Sequence, residues 1–172
     1  MIIYKDRISG DELFSDSFPM KLIDDLYYEV EGKTVAESSG GIDDSLIGGN
    51  KSAEEPSAEE YNAETTYGCN IVFNHRLSAA PVISKKDYSA VIKPYVKKIY
   101  DSLIAEGKTE DAAVFKSGMG EVVKKIKGMW DDLVPYTGES LNQDAMMCFM
   151  NYRENGDPYM IFFKHGLVEE KC

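Results

Sequence analysis

The stretch from Ile42 to Asn50, IDDSLIGGN, sets two carboxylates and a hydroxyl ahead of a Gly-Gly-Asn turn, and further acids follow at Glu54, Glu55, Glu59 and Glu60. Carboxylates at this density could hold calcium, a hard cation that takes oxygen ligands. An EF-hand loop needs oxygens at positions 1, 3 and 5, Gly at 6 and Glu at 12. A loop starting at Asp43 places Ser45, Gly48 and Glu54 at positions 3, 6 and 12, but Ile47 falls at 5 and Lys51 at 9. No helical pattern flanks it. The expectation is a weak calcium site drawn from Asp43, Asp44, Glu54, Glu55, Glu59 and Glu60, with affinity on the order of 10⁻⁴ to 10⁻³ M. A phosphate cradle is excluded, because the stretch lacks the Gly spacing and the Lys-Ser/Thr pair of a P-loop. Ser45 is a better candidate for accepting a phosphate. Asp43 lies two residues before it and Leu46 one after. The added charge would push the segment away from acidic surfaces.

Other groups capable of chemistry are sparse. Cys69, Cys148 and Cys172 form no CxxC pair and no disulfide framework, which suits a reduced, cytoplasmic setting. Cys172, the last residue, is a candidate exposed thiol. His75 and His165 have no motif partner, so no catalytic centre is expected and the chain is read as a non-enzyme. The formal net charge of −11 argues against nucleic acid as the main partner. No signal-peptide h-region and no membrane-spanning apolar run is visible.

Charge is unevenly placed. Residues 84–130 hold 10 Lys against 6 Asp and Glu, a basic module in an acidic chain. Such a module suits docking to an acidic partner. Its apolar residues, from Tyr88 to Ile104, recur at helical spacing, with Ser84 and Asp87 as a capping pair and Gly107 as the stop. A second stripe runs Ala112, Phe115, Met119, Val122, Ile126, Met129, Trp130 and Leu133, with Thr109 as a candidate N-cap. A connection of about three residues forces an antiparallel pair, a helical hairpin insertion over residues 84–133. Lys93, Lys97, Lys98, Lys124, Lys125 and Lys127 fall outside the apolar stripes and are the candidate contacts to an acidic partner.

The remainder reads as strand: residues 1–5, 21–32, 66–77, 145–153, 158–164 and a last LVEEK, with Asn155-Gly156 as a hairpin turn. Strands on both sides of a helical hairpin make a single α+β domain, 1–172, with a mainly antiparallel core. Residues 38–66 carry seven acids and no periodicity, and are expected to be a mobile acidic loop.

DDSLIGGN followed by SAEE, the opening MIIYKDRISGDELFSD, the late run YTGESLNQDAMMCFMNYRENGDPYMIFFKHGL and the terminal EKC together resemble the translationally controlled tumour protein family over essentially the whole chain. The resemblance implies a β-tent core related to Rab exchange chaperones, a projecting helical hairpin and a mobile acidic loop. It implies a cytoplasmic protein, exported without a signal peptide, that supports growth and survival, binds calcium weakly and associates with tubulin and microtubules. Tubulin and calcium are assigned in the family mainly to the hairpin region, here about 79–123. Ser45 matches the family's polo-kinase phosphosite. Glu12 matches the acid that the family is thought to use in nucleotide exchange on the Ras-like small GTPase Rheb, and anti-apoptotic proteins are further expected partners. Relatives of this fold hold zinc through CxxC pairs, which this chain lacks, so no zinc and no organic cofactor are expected. The expected state is a monomer, with a disulfide dimer through Cys172 after export.

Overall fold

A computed structural model describes residues 1–38 and 65–172. Eleven strands and three α-helices follow one another in these two segments, and every strand pairing is antiparallel. β1 (Ile2–Asp6), β2 (Glu12–Ser15), β3 (Met20–Ile23), β4 (Tyr27–Glu31) and β5 (Thr34–Ser38) come first. After the gap come β6 (Thr65–Cys69), α1 (Asn70–His75) and β7 (Ser78–Ala79). The hairpin helices are α2 (Lys85–Ala105) and α3 (Thr109–Gly128). β8 (Val134–Thr137), β9 (Cys148–Tyr152), β10 (Pro158–Phe163) and β11 (Leu167–Lys171) close the chain.

The strands form a three-stranded sheet ordered β11-β1-β2, a six-stranded sheet ordered β3-β4-β10-β9-β8-β7 and a β5-β6 ribbon. β10, PYMIFF, is buried at every residue, as an unbroken apolar run demands of a strand covered on both faces. Phe162 on β10 meets Phe14 on β2 at 4.4 Å between ring centroids, and Phe14 stacks on Tyr4 at 4.5 Å, so aromatic rings join the two larger sheets.

The hairpin lays its apolar stripe on the sheets. Tyr88, Ile92, Tyr95, Ile99 and Leu103 are buried on α2, and Ala112, Phe115, Met119, Val122 and Ile126 on α3. Tyr88 packs edge-on against Phe149 at 5.5 Å, and Tyr95 lies tilted against Phe163 at 6.2 Å. The Ser84 hydroxyl accepts from the Asp87 N–H at 3.1 Å, the expected N-cap, and Gly107 ends α2 with φ +80°. Val91 and Ile104 of the expected stripe are exposed, because they sit at its margins.

Several sequence expectations need correction. Residues 21–32 are two strands, not one. Asp24 and Asp25 take φ of 53° and 60°, the left-handed pair of a tight hairpin turn, closed by the Leu26 N–H to Ile23 carbonyl bond at 2.9 Å. Residues 66–77 are strand only to Cys69; α1 follows directly. Thr109 is the first residue of α3, whose N-cap is Lys108 with no side-chain cap bond. Ser38, Thr65 and Thr66, the ends of the expected acidic loop, lie in β5 and β6. Gly156, with φ +93°, makes the left-handed step of the β9–β10 turn.

Candidate functional site

Glu12 opens β2 at the mouth of a cleft of about 430 Å³ lined by Gly10, Asp11, Glu12, Asn74, His75, Arg76 and Glu139. The loop that delivers it is held from within. Asp6, only 2% exposed, accepts the N–H groups of Ile8 at 2.8 Å and Ser9 at 3.3 Å on one carboxylate oxygen, and that of Met146 at 2.9 Å on the other. Burial raises the pKa of Asp6 despite these donors. Asp11 Oδ2 accepts both the N–H of Ser140 at 3.1 Å and its hydroxyl at 2.6 Å. The loop is thereby tied to the segment that carries Glu139.

Among the described residues, no Lys or Arg forms an ion pair with the Glu12 carboxylate. Its side chain is 56% exposed. Its cross-strand neighbour Lys5 turns to Glu170 at 2.7 Å instead. The group nearest in charge is His75 Nδ1, 3.8 Å from Glu12 Oε1 and too far for a hydrogen bond. Arg76, in the left-handed conformation that ends α1, faces Glu139 at 3.6 Å. Sequence reasoning reached Glu12 through resemblance and missed Asp11, His75, Arg76 and Glu139. These come from separate segments, and no local spacing links them.

The six candidate lysines do not share one surface. The Lys127 ammonium bonds the Ser89 hydroxyl, and Lys116 lies over the Tyr100 ring at 5.2 Å. These two contacts mark the seam between α2 and α3. Lys93 lies one turn beyond Ser89 on that row, with Lys97 one further turn along. Lys97 is paired to Asp101 at 3.3 Å within its own helix. Lys98 points to the other flank and meets Asp144 at 3.7 Å. Lys125 leaves α3 on the side of β4, donating to the Tyr27 hydroxyl at 2.9 Å with its ammonium 5.3 Å from that ring. Lys93 and Lys124 are exposed and make no ion pair among the described residues.

Ser45 and the calcium candidates Asp43, Asp44, Glu54, Glu55, Glu59 and Glu60 lie outside the described residues. Among the described residues no three His, Cys, Asp or Glu side chains converge as a metal site requires, and no helix is long and apolar enough to cross a membrane. Cys69 and Cys148 are buried, and burial raises both thiol pKa values, whereas Cys172 is exposed.

Comparison with known proteins places this architecture. The family model described as translationally controlled tumour protein matches residues 1–168. A translationally-controlled tumor protein homolog of Branchiostoma belcheri is 46% identical, covering 99% of each chain. The translationally-controlled tumor protein of Homo sapiens is 45% identical over the full length of both. Among solved structures, the translationally controlled tumor-associated protein p23fyp of Schizosaccharomyces pombe superposes with a TM-score of 0.79 at 42% identity, each chain covered completely. The Caenorhabditis elegans protein gives 0.71 at 32% identity, covering 100% of this chain and 99% of its own. With the sheets, the helical hairpin and the full-length match in agreement, the chain belongs to the translationally controlled tumour protein family.

Proposed function

We propose that this chain is a non-enzymatic interaction protein of the cytoplasm whose helical hairpin docks an acidic protein surface, the C-terminal tails of tubulin, and whose acidic segment takes up calcium weakly through the carboxylates between Asp43 and Glu60. Charge placement supports the reading. The chain carries a net −11, yet Lys93, Lys97 and Lys124 stand exposed on the hairpin. An acidic tail repelled elsewhere would find its counter-charge there. The test is microtubule co-sedimentation of the parent and a Lys93→Glu/Lys97→Glu/Lys124→Glu variant at two salt concentrations, with circular dichroism as the folding control. Binding should fall in the variant and with salt, since exposed charges are screened beyond about 8 Å at physiological ionic strength. A folded variant that binds as the parent does, with no salt dependence, rules the reading out.

A second reading, regulation of nucleotide release from a Ras-like small GTPase such as Rheb, is favoured by one specific observation. Glu12 presents an exposed carboxylate with no Lys or Arg partner among the described residues, on a loop held by Asp6 and Asp11. A carboxylate so presented can compete with nucleotide phosphate for the P-loop lysine or disturb Mg²⁺. Release kinetics of labelled nucleotide with excess protein should quicken with the parent and not with Glu12→Gln. An unchanged rate with the parent ends this reading.

A further inference from the structure

Among the described residues that line the Glu12 cleft, His75 is the one side chain whose ordinary charge change falls near physiological pH. Its side chain is 10% exposed and packs edge-on against Phe18 at 5.9 Å. Among the described residues, its buried Nδ1 atom has no hydrogen-bond partner, and Glu12 Oε1 lies 3.8 Å away. The other charged groups around the cleft are already engaged. Asp11, from the β1–β2 loop, is bonded to Ser140. Arg76, at the end of α1, and Glu139, beyond β8, face one another. A proton arriving on the imidazole from solvent therefore finds Glu12 as its counter-charge.

We propose that His75 is a protonation gate on Glu12: neutral, it leaves the carboxylate free for a basic group of a protein partner, and charged, it draws the carboxylate into an ion pair inside the cleft and withdraws it from that partner. His75 acts through Glu12 and is a positioning residue. Burial holds its pKa below the ordinary histidine value, against the opposing pull of Glu12, so the gate is open at neutral pH and closes on acidification. The partner consequence rests on the proposed role of Glu12 in meeting a small GTPase, whereas the gate itself is a property of this chain.

The test has two arms on the full chain. In the first, NMR follows the His75 ring and the Glu12 carboxyl across pH in the parent, Glu12→Gln and His75→Phe. The phenylalanine keeps an aromatic ring against Phe18, and His75→Gln serves if that variant does not fold. Glu12→Gln should move the His75 midpoint to lower pH, and the Glu12 carboxyl signal should respond at the His75 midpoint in the parent but not in His75→Phe. An unmoved His75 midpoint in Glu12→Gln overturns the gate. In the second arm, affinity for a nucleotide-free Ras-like GTPase is measured above and below that midpoint. The parent should lose on the order of tenfold, within the range typical of coupled sites, and His75→Phe should lose its pH dependence. If His75→Phe keeps the parent's pH dependence, the gate is overturned. If no binding occurs at neutral pH, the Glu12 reading fails and the first arm still decides the gate.

Discussion

Asp6 and Glu12 are both carboxylates within the first few residues, and surroundings give them opposite work. Asp6 is buried and spends its oxygens on the N–H groups of Ile8, Ser9 and Met146. Asp6→Ala should cost roughly 1–3 kcal/mol in urea unfolding, the cost of a buried donor left without an acceptor, because the Met146 N–H is buried. A loss under about 0.5 kcal/mol, the usual range for surface changes, would show that water replaces the carboxylate. The sequence could not mark Asp6, because one of its partners lies 140 residues away. His165 was equally silent. It is 4% exposed, neither ring nitrogen has a hydrogen-bond partner among the described residues, and Phe115 packs at 5.4 Å. Burial, and then Lys164, hold its pKa down, with Asp111 and Asp25 opposing. The unfolded chain takes up a proton near pH 6.5 and the folded chain only at lower pH. The stability His165 contributes is therefore whole above about 6.5 and is lost as pH falls through its folded pKa. His165→Phe should flatten the fall in unfolding temperature between neutral pH and pH 5. Parallel falls in parent and variant would assign the acid sensitivity to other groups.

Among the elements, the helical hairpin was the most legible, because a 3.6-residue apolar period over twenty residues leaves little choice of structure. The short elements were not. α1 has a single buried residue, Ile71, and no side-chain cap bond, so its helix follows from tertiary packing against β2 and β6. Its residues, rich in β-branched and aromatic types, read as strand by propensity. The Asp24-Asp25 turn was missed because Asp tolerates positive φ less readily than the Asn and Gly that usually signal such turns. Within α3 the two interior glycines, Gly118 and Gly120, separate. Sequence alone charges each about 1 kcal/mol against Ala. A Cβ on Gly118 would stand 2.4 Å from Leu26 Cδ1 and 3.1 Å from its Cγ, whereas one on Gly120 would meet nothing within 4 Å. Leu26 is buried between the β3–β4 turn and the helix, so Gly118 is what lets α3 approach the sheet. Gly120→Ala should raise stability by about 1 kcal/mol. Gly118→Ala should lower it, because overpacking costs typically about 1–3 kcal/mol and exceeds the helix gain. Chemical denaturation of both variants checks the pair, and equal stabilisation would mean that Leu26 moves aside freely.

At the scale of the whole molecule, net charge and thiol placement set the terms on which two copies would meet. The chain holds three cysteines, of which Cys69 and Cys148 are buried with raised thiol pKa values and Cys172 is exposed at the end of β11. The thiolate is the reacting form, so the buried pair is protected twice, by access and by protonation. A disulfide reagent should therefore label Cys172 quickly in the folded protein and all three cysteines only after unfolding. A disulfide through Cys172 would join two chains of formal charge −11, and Glu169 and Glu170, three and two residues before the thiol, add local repulsion that the intervening Lys171 offsets only in part. Glu170 is partly offset by Lys5 at 2.7 Å, while Glu169 makes no ion pair among the described residues. The encounter of like-charged chains is slow at low ionic strength and quickens as the Debye length shrinks from about 30 Å at 0.01 M to about 8 Å at 0.15 M. Under oxidised glutathione, the covalent dimer should accumulate faster with added salt, opposite in sign to the salt dependence expected of tubulin binding through the hairpin. Non-reducing gel electrophoresis of the parent and Cys172→Ser measures it. A dimer that persists in Cys172→Ser would show that a buried thiol becomes reachable. Dimerisation that slows with salt would show that the basic hairpin of one chain meets the acidic body of another before the thiols react.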